Sequence, residues 1–125
     1  MCGNVLIFVR ALYVQIKNVH RRGTPLSVRL SFQVHNALGF SLFNDGKIDR
    51  SIAEYEKAVK LQPGYVTAWN NLASAYEKKK NLPKALKAYE QALFFDPNNS
   101  VAKEYGDAVK AKLERLAGVP VKYDD

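Results

Sequence analysis

A 34-residue period in the middle of the chain constrains the fold more than any other feature. Residues 32–65 align without a gap over residues 66–99. The matched pairs are Leu38 with Leu72, Gly39 with Ala73, Leu42 with Tyr76, Ser51 with Ala85, Tyr55 with Tyr89, Ala58 with Ala92 and Pro63 with Pro97. A repeat of this length is typical of paired antiparallel helices that bury their apolar faces by stacking on their neighbours. The period therefore predicts an all-α chain of helix-turn-helix repeats.

The second unit carries a family signature. Its signature residues, in order, are Trp69, Leu72, Ala73, Tyr76, Ala85, Tyr89, Ala92 and Pro97. They resemble the tetratricopeptide repeat (TPR), whose pattern is W-x-x-L-G-x-x-Y, then A-x-x-x-F, then P, with Ala73 in place of the Gly. The first unit departs more, because His35 replaces Trp, Leu42 replaces Tyr and Ser51 replaces Ala. The resemblance implies a short TPR solenoid.

The repeat register divides the chain into five segments. They are a basic N-terminal extension at 1–31, TPR 1 at 32–65, TPR 2 at 66–99, a capping helix at 100–117 and a tail at 118–125. Within TPR 1 we expect helices at about 33–43 and 48–61, and TPR 2 should open with a helix at 66–79. Asn81 is expected to cap the next helix, and Pro83 fits its first turn, where a missing N–H costs nothing.

Residues after the second repeat break the signature but keep a helical pattern. Val101, Tyr105, Ala108, Leu113 and Leu116 recur at helical spacing, and Gly118 suits a helix end. This pattern predicts a capping helix that covers the last repeat, with those five side chains on its buried face. At the other end of the repeats, the first helix is unusually apolar. Its apolar side chains could be covered by residues 1–31, by another chain or by further repeats of a longer array.

The net charge of +7 is concentrated at the N-terminus. Residues 1–44 contain five basic side chains and no acidic one, whereas from Asp45 onward there are 14 basic and 12 acidic residues. The extension fits an organelle transit peptide, a basic segment lying on a membrane surface, or sequence foreign to the domain. The repeats themselves carry no regular basic stripe, so nucleic acid is not an expected partner.

The sequence contains no pattern of catalytic or metal-binding residues. The one cysteine, Cys2, excludes an internal disulfide, and the seven glycines form no phosphate-binding loop. His35 occupies a packing position of the repeat, and the carboxylates lie at ordinary helix-surface spacing among lysines. We therefore expect no enzyme activity, no cofactor, no metal and no small-molecule substrate.

Binding of a protein or peptide partner is what the TPR resemblance implies. Family contacts usually come from the second, fifth, sixth, ninth and twelfth repeat positions, on the concave side of the first helix of each repeat. The residues expected to line this partner-binding groove are Gln33, Asn36, Phe40, Phe43, Thr67, Asn70, Asn71, Ser74 and Glu77. The asparagines can pair with a peptide backbone through both donors and acceptors. A solvated helix surface is the alternative for Asn36, Asn70 and Asn71.

The carboxylate clamp of chaperone-binding TPR domains is not expected here. That site needs cationic side chains, and the corresponding positions hold Asn36, Phe40, Val101 and Tyr105, with only Asn71 matching. Without cations there is little to neutralise a C-terminal carboxylate.

A closer resemblance covers residues 35–122. The stretches Leu61–Leu72, Glu77–Lys80, Phe94–Asn98 and Gly118–Lys122 are similar to chloroplast TPR proteins of the pale-yellow-green type. The resemblance implies a thylakoid-associated chloroplast scaffold that assists photosystem I assembly. Full-length relatives are expected to add a transit peptide, a membrane segment and another repeat, so we expect a truncated or alternative product whose membrane contact runs through its partner or a missing segment. The alternatives are an RNA-binding helical-repeat protein using the basic N-terminus and a co-chaperone-like adaptor.

Overall fold

The computed structural model describes residues 26–118, with side-chain surroundings from Ser31 onward. The predictions for residues 1–25 and for the tail beyond Gly118 lie outside this range. The chain divides into two units, Met1–Ser31 and Phe32–Asp125, and the packing described below is that of the second unit.

The described residues form five α-helices and no strand, which confirms the all-α fold class. They are α1 (Leu26–Asn44), α2 (Ile48–Leu61), α3 (Val66–Lys78), α4 (Leu82–Phe95) and α5 (Ser100–Leu116). Helix α2 packs on α3, α3 on α4 and α4 on α5, as expected of stacked hairpins. Helices α2 and α3 agree with the predicted bounds to within one residue. Helix α1 begins seven residues before the expected Gln33, because no Gly or Pro interrupts residues 26–32.

Each hairpin turns at the same repeat position. Gly46 has a φ of 78°, and Lys80, 34 residues later, has a φ of 63°. A positive φ suits glycine and strains a side chain that carries a Cβ. The predicted cap is confirmed, since the Asn81 side chain accepts a hydrogen bond from the Lys84 backbone N–H at 3.3 Å, and Pro83 lies in the first turn of α4.

Small and aromatic signature residues form the core, as predicted. Ala58, Ala85 and Ala92 are fully buried, and Tyr55 and Tyr89 are the largest completely enclosed side chains of the described residues. Trp69 is only half-buried, because its indole lies at the surface and donates a hydrogen bond from Nε1 to the Pro63 carbonyl at 2.7 Å.

The buried face of the capping helix differs from the prediction by one residue in register. The buried side is formed by Ala102, Gly106 and Val109, whereas Val101 and Tyr105 are 45% and 50% exposed. Ala108 and Leu116 are also exposed, and Leu113 is half-buried. Close approach explains the shift, since a Cβ on Gly106 would lie 3.2 Å from the Tyr89 Cβ. Small residues make the contact in α5, and the large apolar residues flank it.

The first helix exposes apolar side chains that the equivalent helix of the next repeat buries. Val34 and Leu38 on α1 are 58% and 45% exposed. Their counterparts 34 residues later, Ala68 and Leu72, are 0% and 4% exposed because α3 packs on α2.

Candidate functional site

The candidate groove is the face of α1, α3 and α5 that carries the second, fifth, sixth, ninth and twelfth repeat positions. Its centre is a row of polar side chains along α3. Asn71 Nδ2 donates to Asn36 Oδ1 at 3.0 Å, which joins the groove faces of α1 and α3. Both amides are half-buried. Each amide is therefore paired with the other and is partly withdrawn from solvent.

Asn70 has a structural contact that the repeat register alone does not indicate. Its Nδ2 donates to Asn99 Oδ1 at 3.1 Å, and the same Asn99 oxygen caps α5 by accepting from the Ala102 backbone N–H at 2.9 Å. Asn70 Oδ1 is buried and has no hydrogen-bond partner within residues 26–118. Asn70 therefore links the groove wall to the start of the capping helix, and substituting it would disturb both.

The buried Tyr89 contacts two side chains of this polar row, Ser74 and Glu77. Tyr89 Oη donates to Glu77 Oε1 at 2.7 Å and lies 3.4 Å from Ser74 Oγ. Burial raises the pKa of the Tyr89 phenol well above its usual value; the Ser74 bond opposes this shift, and the Glu77 carboxylate adds to it. The phenol stays protonated and remains a donor that holds Glu77 in place.

Exposed aromatic rings flank the polar row on both sides. Phe40 on α1 is 54% exposed, and Phe43, one turn further on, is half-buried. On α5, Tyr105 stacks on Tyr89 with ring centroids 6.4 Å apart and an 18° angle between the planes. Because one face of Tyr105 is held by Tyr89 and half of the side chain is exposed, the ring is a preorganised apolar contact.

The nine predicted site residues differ in their contacts. It joins Asn36 to Asn71, brings Ser74 and Glu77 together through Tyr89, and ties Asn70 to the capping helix. Gln33 and Thr67 are exposed at the ends of the two faces. Sequence reasoning missed the contributions of Asn99, Tyr89, Val101 and Tyr105. The 34-residue register places Val101 and Tyr105 at the second and sixth positions of α5, but they were compared only with the carboxylate clamp and were not counted as groove residues.

A second concavity of about 550 Å³ lies between α2, α3 and α4. Trp69, Leu72 and Tyr76 provide its apolar lining, and Glu56 and Lys84 are among its charged residues. Tyr76 Oη donates to Glu56 at 2.6 Å, and burial together with this bond raises the Tyr76 pKa to about 12. The cleft shares no residue with the groove.

Residues 26–118 contain neither a helix suited to crossing a membrane nor a cluster of metal-binding side chains. No helix in this range is long and apolar enough to cross a membrane. The same range contains no cluster of His, Cys, Asp and Glu side chains that could hold a metal ion.

The fold, the repeat period and the signature residues define a class of helical-repeat binding protein. The tetratricopeptide repeat family profile matches residues 36–100, and the chain belongs to this family. TPR units mediate protein–protein interaction, so the site has to be considered as a surface for another protein.

Individual relatives sharpen this assignment. The chain is 60% identical over 87 residues to "Tetratricopeptide repeat domain-containing protein PYG7, chloroplastic" of Arabidopsis thaliana, a match that covers 70% of this chain. It is 38% identical over 83 residues, or 66% of its length, to "Uncharacterized protein ycf37" of Pyropia yezoensis. The matches span 29% of the Arabidopsis protein and 46% of the Pyropia protein. The resemblance to the pale-yellow-green type is confirmed, and these relatives support a chloroplast location.

A chaperone adaptor is a more distant relative. "Hsp70-Hsp90 organizing protein 3" of Arabidopsis thaliana is 33% identical over 93 residues, covering 66% of this chain and 17% of the relative. The groove positions of this chain carry none of the cations that a carboxylate clamp needs.

Proposed function

We propose that this chain is a non-enzymatic scaffold that holds a protein segment in the groove and, at the thylakoid, assists assembly of photosystem I. TPR membership supports protein binding. The PYG7 relative supports the chloroplast setting, because its name includes "chloroplastic". Contact with the membrane would run through the partner or through a segment outside this chain.

The Asn36–Asn71 pair is the observation that carries the peptide-binding part of this proposal. The bond uses Oδ1 of Asn36 and one hydrogen of Asn71 Nδ2. Asn36 Nδ2 and Asn71 Oδ1 have no other partner within the described residues, so a donor and an acceptor lie side by side. A peptide backbone presents the complementary acceptor and donor, and an extended segment can satisfy both groups.

The exposed rings supply the apolar part of such a site. Phe40 and Tyr105 lie on the helices that flank the amide pair, and both are about half exposed. Aromatic side chains at the centre of an interface commonly contribute more to affinity than the polar contacts around them. The proposed binding mode therefore combines backbone hydrogen bonds at the centre with an apolar contact on each side.

Affinity capture from detergent-solubilised thylakoid membranes tests the proposal. The wild-type chain is the bait, and Asn71→Ala and Phe40→Ala are the groove variants. The expected result is enrichment of photosystem I subunits by the wild type and loss of that enrichment with both groove variants. Lys87→Ala, on the exposed surface of α4, is the matched control and should capture as the wild type does.

Two outcomes would contradict the proposal. Capture of photosystem I subunits that is equal for the wild type and both groove variants would remove the groove from the interaction. Enrichment of other complexes in place of photosystem I would remove the assembly role and leave the protein-binding role. Circular-dichroism melts of all variants separate lost binding from lost folding.

A further inference from the structure

We propose that the segment bound in the groove is basic, placing a Lys or Arg side chain against Glu77 and beside the Tyr105 ring. This inference rests on the proposed function, because it names the chemistry of the segment that the groove would hold.

The Glu77 carboxylate lacks a counter-charge. Its side chain is half-buried, and its Oε1 accepts a hydrogen bond from Tyr89 Oη at 2.7 Å. Within residues 26–118, no Lys or Arg forms an ion pair with it. A carboxylate withdrawn from water and held by one neutral donor gains most from a cation that can reach its second oxygen.

The lysines that follow Glu77 in sequence do not supply this cation. Lys79 pairs across the hairpins with Asp49 on α2, with 2.5 Å between Nζ and Oδ1. Lys78 is exposed and lies about 100° further around the helix than Glu77. The sequence therefore places positive charge close to Glu77 along the chain, but the structure leaves the carboxylate without it.

The charge of the groove is opposite to the charge of the chain. The sequence has 19 basic and 12 acidic residues. At the groove positions of α1, α3 and α5, the charged residues are Glu77 and Glu104, and there is no Lys or Arg. A negative groove on a positive protein favours a cationic segment and disfavours an acidic one, so it also contributes to specificity.

The Tyr105 ring, which is linked to the Glu77 carboxylate through Tyr89, favours the same cation. Tyr89 contacts both Glu77, through its hydroxyl, and Tyr105, through its ring. Tyr105 is half exposed, and the face of a tyrosine ring attracts an ammonium or guanidinium group. The planar guanidinium of Arg could stack on the ring while donating to a carboxylate, so Arg should be preferred over Lys.

Selection from a phage-displayed library of random 12-residue peptides tests this inference. The wild-type chain and Glu77→Gln are the immobilised targets. Gln keeps an oxygen that can accept from Tyr89 Oη while removing the charge, so the fold should be preserved. Glu90→Gln, an exposed site on α4, is the charge-matched control. The expected result is enrichment of Arg and Lys on the wild type and on Glu90→Gln, but not on Glu77→Gln.

Binding of the selected peptides, measured by fluorescence polarisation, completes the test. Affinity should fall about tenfold or more on Glu77→Gln, the loss of one charge-assisted hydrogen bond, and should fall with added salt. Peptides that depend on Phe40 and Asn71 but lack basic enrichment would overturn the inference and leave the proposed function standing. Failure to select any peptide, or selection of peptides indifferent to Phe40→Ala and Asn71→Ala, would overturn peptide binding in the groove, and this inference with it.

Discussion

The two repeats use different residues at the same positions. At the fourth position, repeat 2 has Trp69, and at the position of the second helix that is equivalent to Glu54 of repeat 1 it has the buried Ala88. In repeat 1 the corresponding residues are His35 and Glu54, and they form a hydrogen bond of 2.6 Å from Nδ1 to Oε2. Repeat 2 has a large apolar ring and a small residue at these two positions, and both line the cleft between α2, α3 and α4. Repeat 1 has a smaller polar ring that bonds to a larger polar side chain, so the two repeats use different chemistry at the same positions.

The two hairpins also differ in how closely their helices approach. Gly39 lies so near Tyr55 that a Cβ there would be 2.7 Å from two of its ring carbons. The equivalent position of repeat 2 already carries a Cβ, that of Ala73, and buries it completely. Helices α1 and α2 are therefore closer at this point than their counterparts α3 and α4 can be. The same difference between Gly and a larger residue recurs at the turns.

The largest expected loss of stability follows substitution of the fourth-position residue, and it should be larger in repeat 2 than in repeat 1. Trp69→Ala should lower the free energy of unfolding by about 3 kcal/mol, the lower end of the range for a buried Trp, because the indole is only half-buried. His35→Ala should cost only about 1 kcal/mol, the value of a partly exposed hydrogen bond. Urea titrations followed by circular dichroism measure both. Equal losses would show that the polar pair packs as strongly as the indole does.

Gly39→Ala tests the close approach in repeat 1. Overpacking against the buried Tyr55 ring should cost about 2 kcal/mol, more than the roughly 1 kcal/mol that Ala gains over Gly inside a helix. The reciprocal change, Ala73→Gly, should cost about 1 kcal/mol through helix propensity alone. Melting temperatures of the two variants give the comparison. A Gly39→Ala protein as stable as the wild type would contradict this expectation. It would show that α1 and α2 can move apart enough to accommodate the added Cβ.

Lys80→Gly should stabilise the protein by about 1 kcal/mol. Lys80 has a φ of 63°, a left-handed conformation that Gly adopts without steric cost. Gly46→Ala at the equivalent turn should be destabilising by a similar amount, since its φ is 78°. A rise in the urea midpoint for Lys80→Gly and a fall for Gly46→Ala are the expected results. No change in either would show that the turns relax their strain elsewhere.

The polar pair gives repeat 1 a pH dependence that repeat 2 lacks at this position. The His35 hydrogen bond, followed by the bond from Lys57, lowers the pKa of Glu54 from its ordinary value of 4.5. A lowered carboxyl pKa stabilises the fold above the unfolded pKa and loses that contribution as pH falls through the folded value. Wild type should therefore lose stability below about pH 4.5, and Glu54→Gln should lose less. Thermal melts at pH 6 and pH 3.5 check this smallest effect, and parallel curves would contradict it.

The repeat period predicted the parts of the fold that Gly, Pro and Asn delimit. Helices α2 and α3 begin and end within a residue of expectation, and Asn81 caps α4 as foreseen. The sequence also has such a marker at the start of α1, since Pro25 directly precedes Leu26, but the repeat period begins at residue 32 and does not include it. In α5, the large apolar residues were expected to be buried, but the helix packs through Gly106, where a Cβ would lie only 3.2 Å from the Tyr89 Cβ. The hydrophobicity pattern of a sequence does not show how closely two helices approach each other.

The candidate groove was predictable as a set of positions and not as a network. The register identified the helix face, and its assignment to binding remains a prediction. It did not show that Asn70 bonds to Asn99, 29 residues further along the chain, or that the Tyr89 hydroxyl reaches Glu77. Both contacts depend on the angle between helices, which sequence spacing leaves open. Tyrosine in place of the family's phenylalanine at Tyr89 was the available signal, since a buried hydroxyl requires a partner.

Trp69 is positioned to serve as an intrinsic fluorescence probe of the junction between the two repeats. It is the only tryptophan of the sequence, its indole N–H is fixed on the Pro63 carbonyl where the two repeats meet, and it lies outside the groove. Its fluorescence emission therefore reports the local polarity at that junction. Separation of the repeats should shift the emission to longer wavelengths, whereas a ligand in the groove should leave the spectrum unchanged. One unlabelled protein can thus be followed for opening of the junction while a labelled peptide is titrated into it.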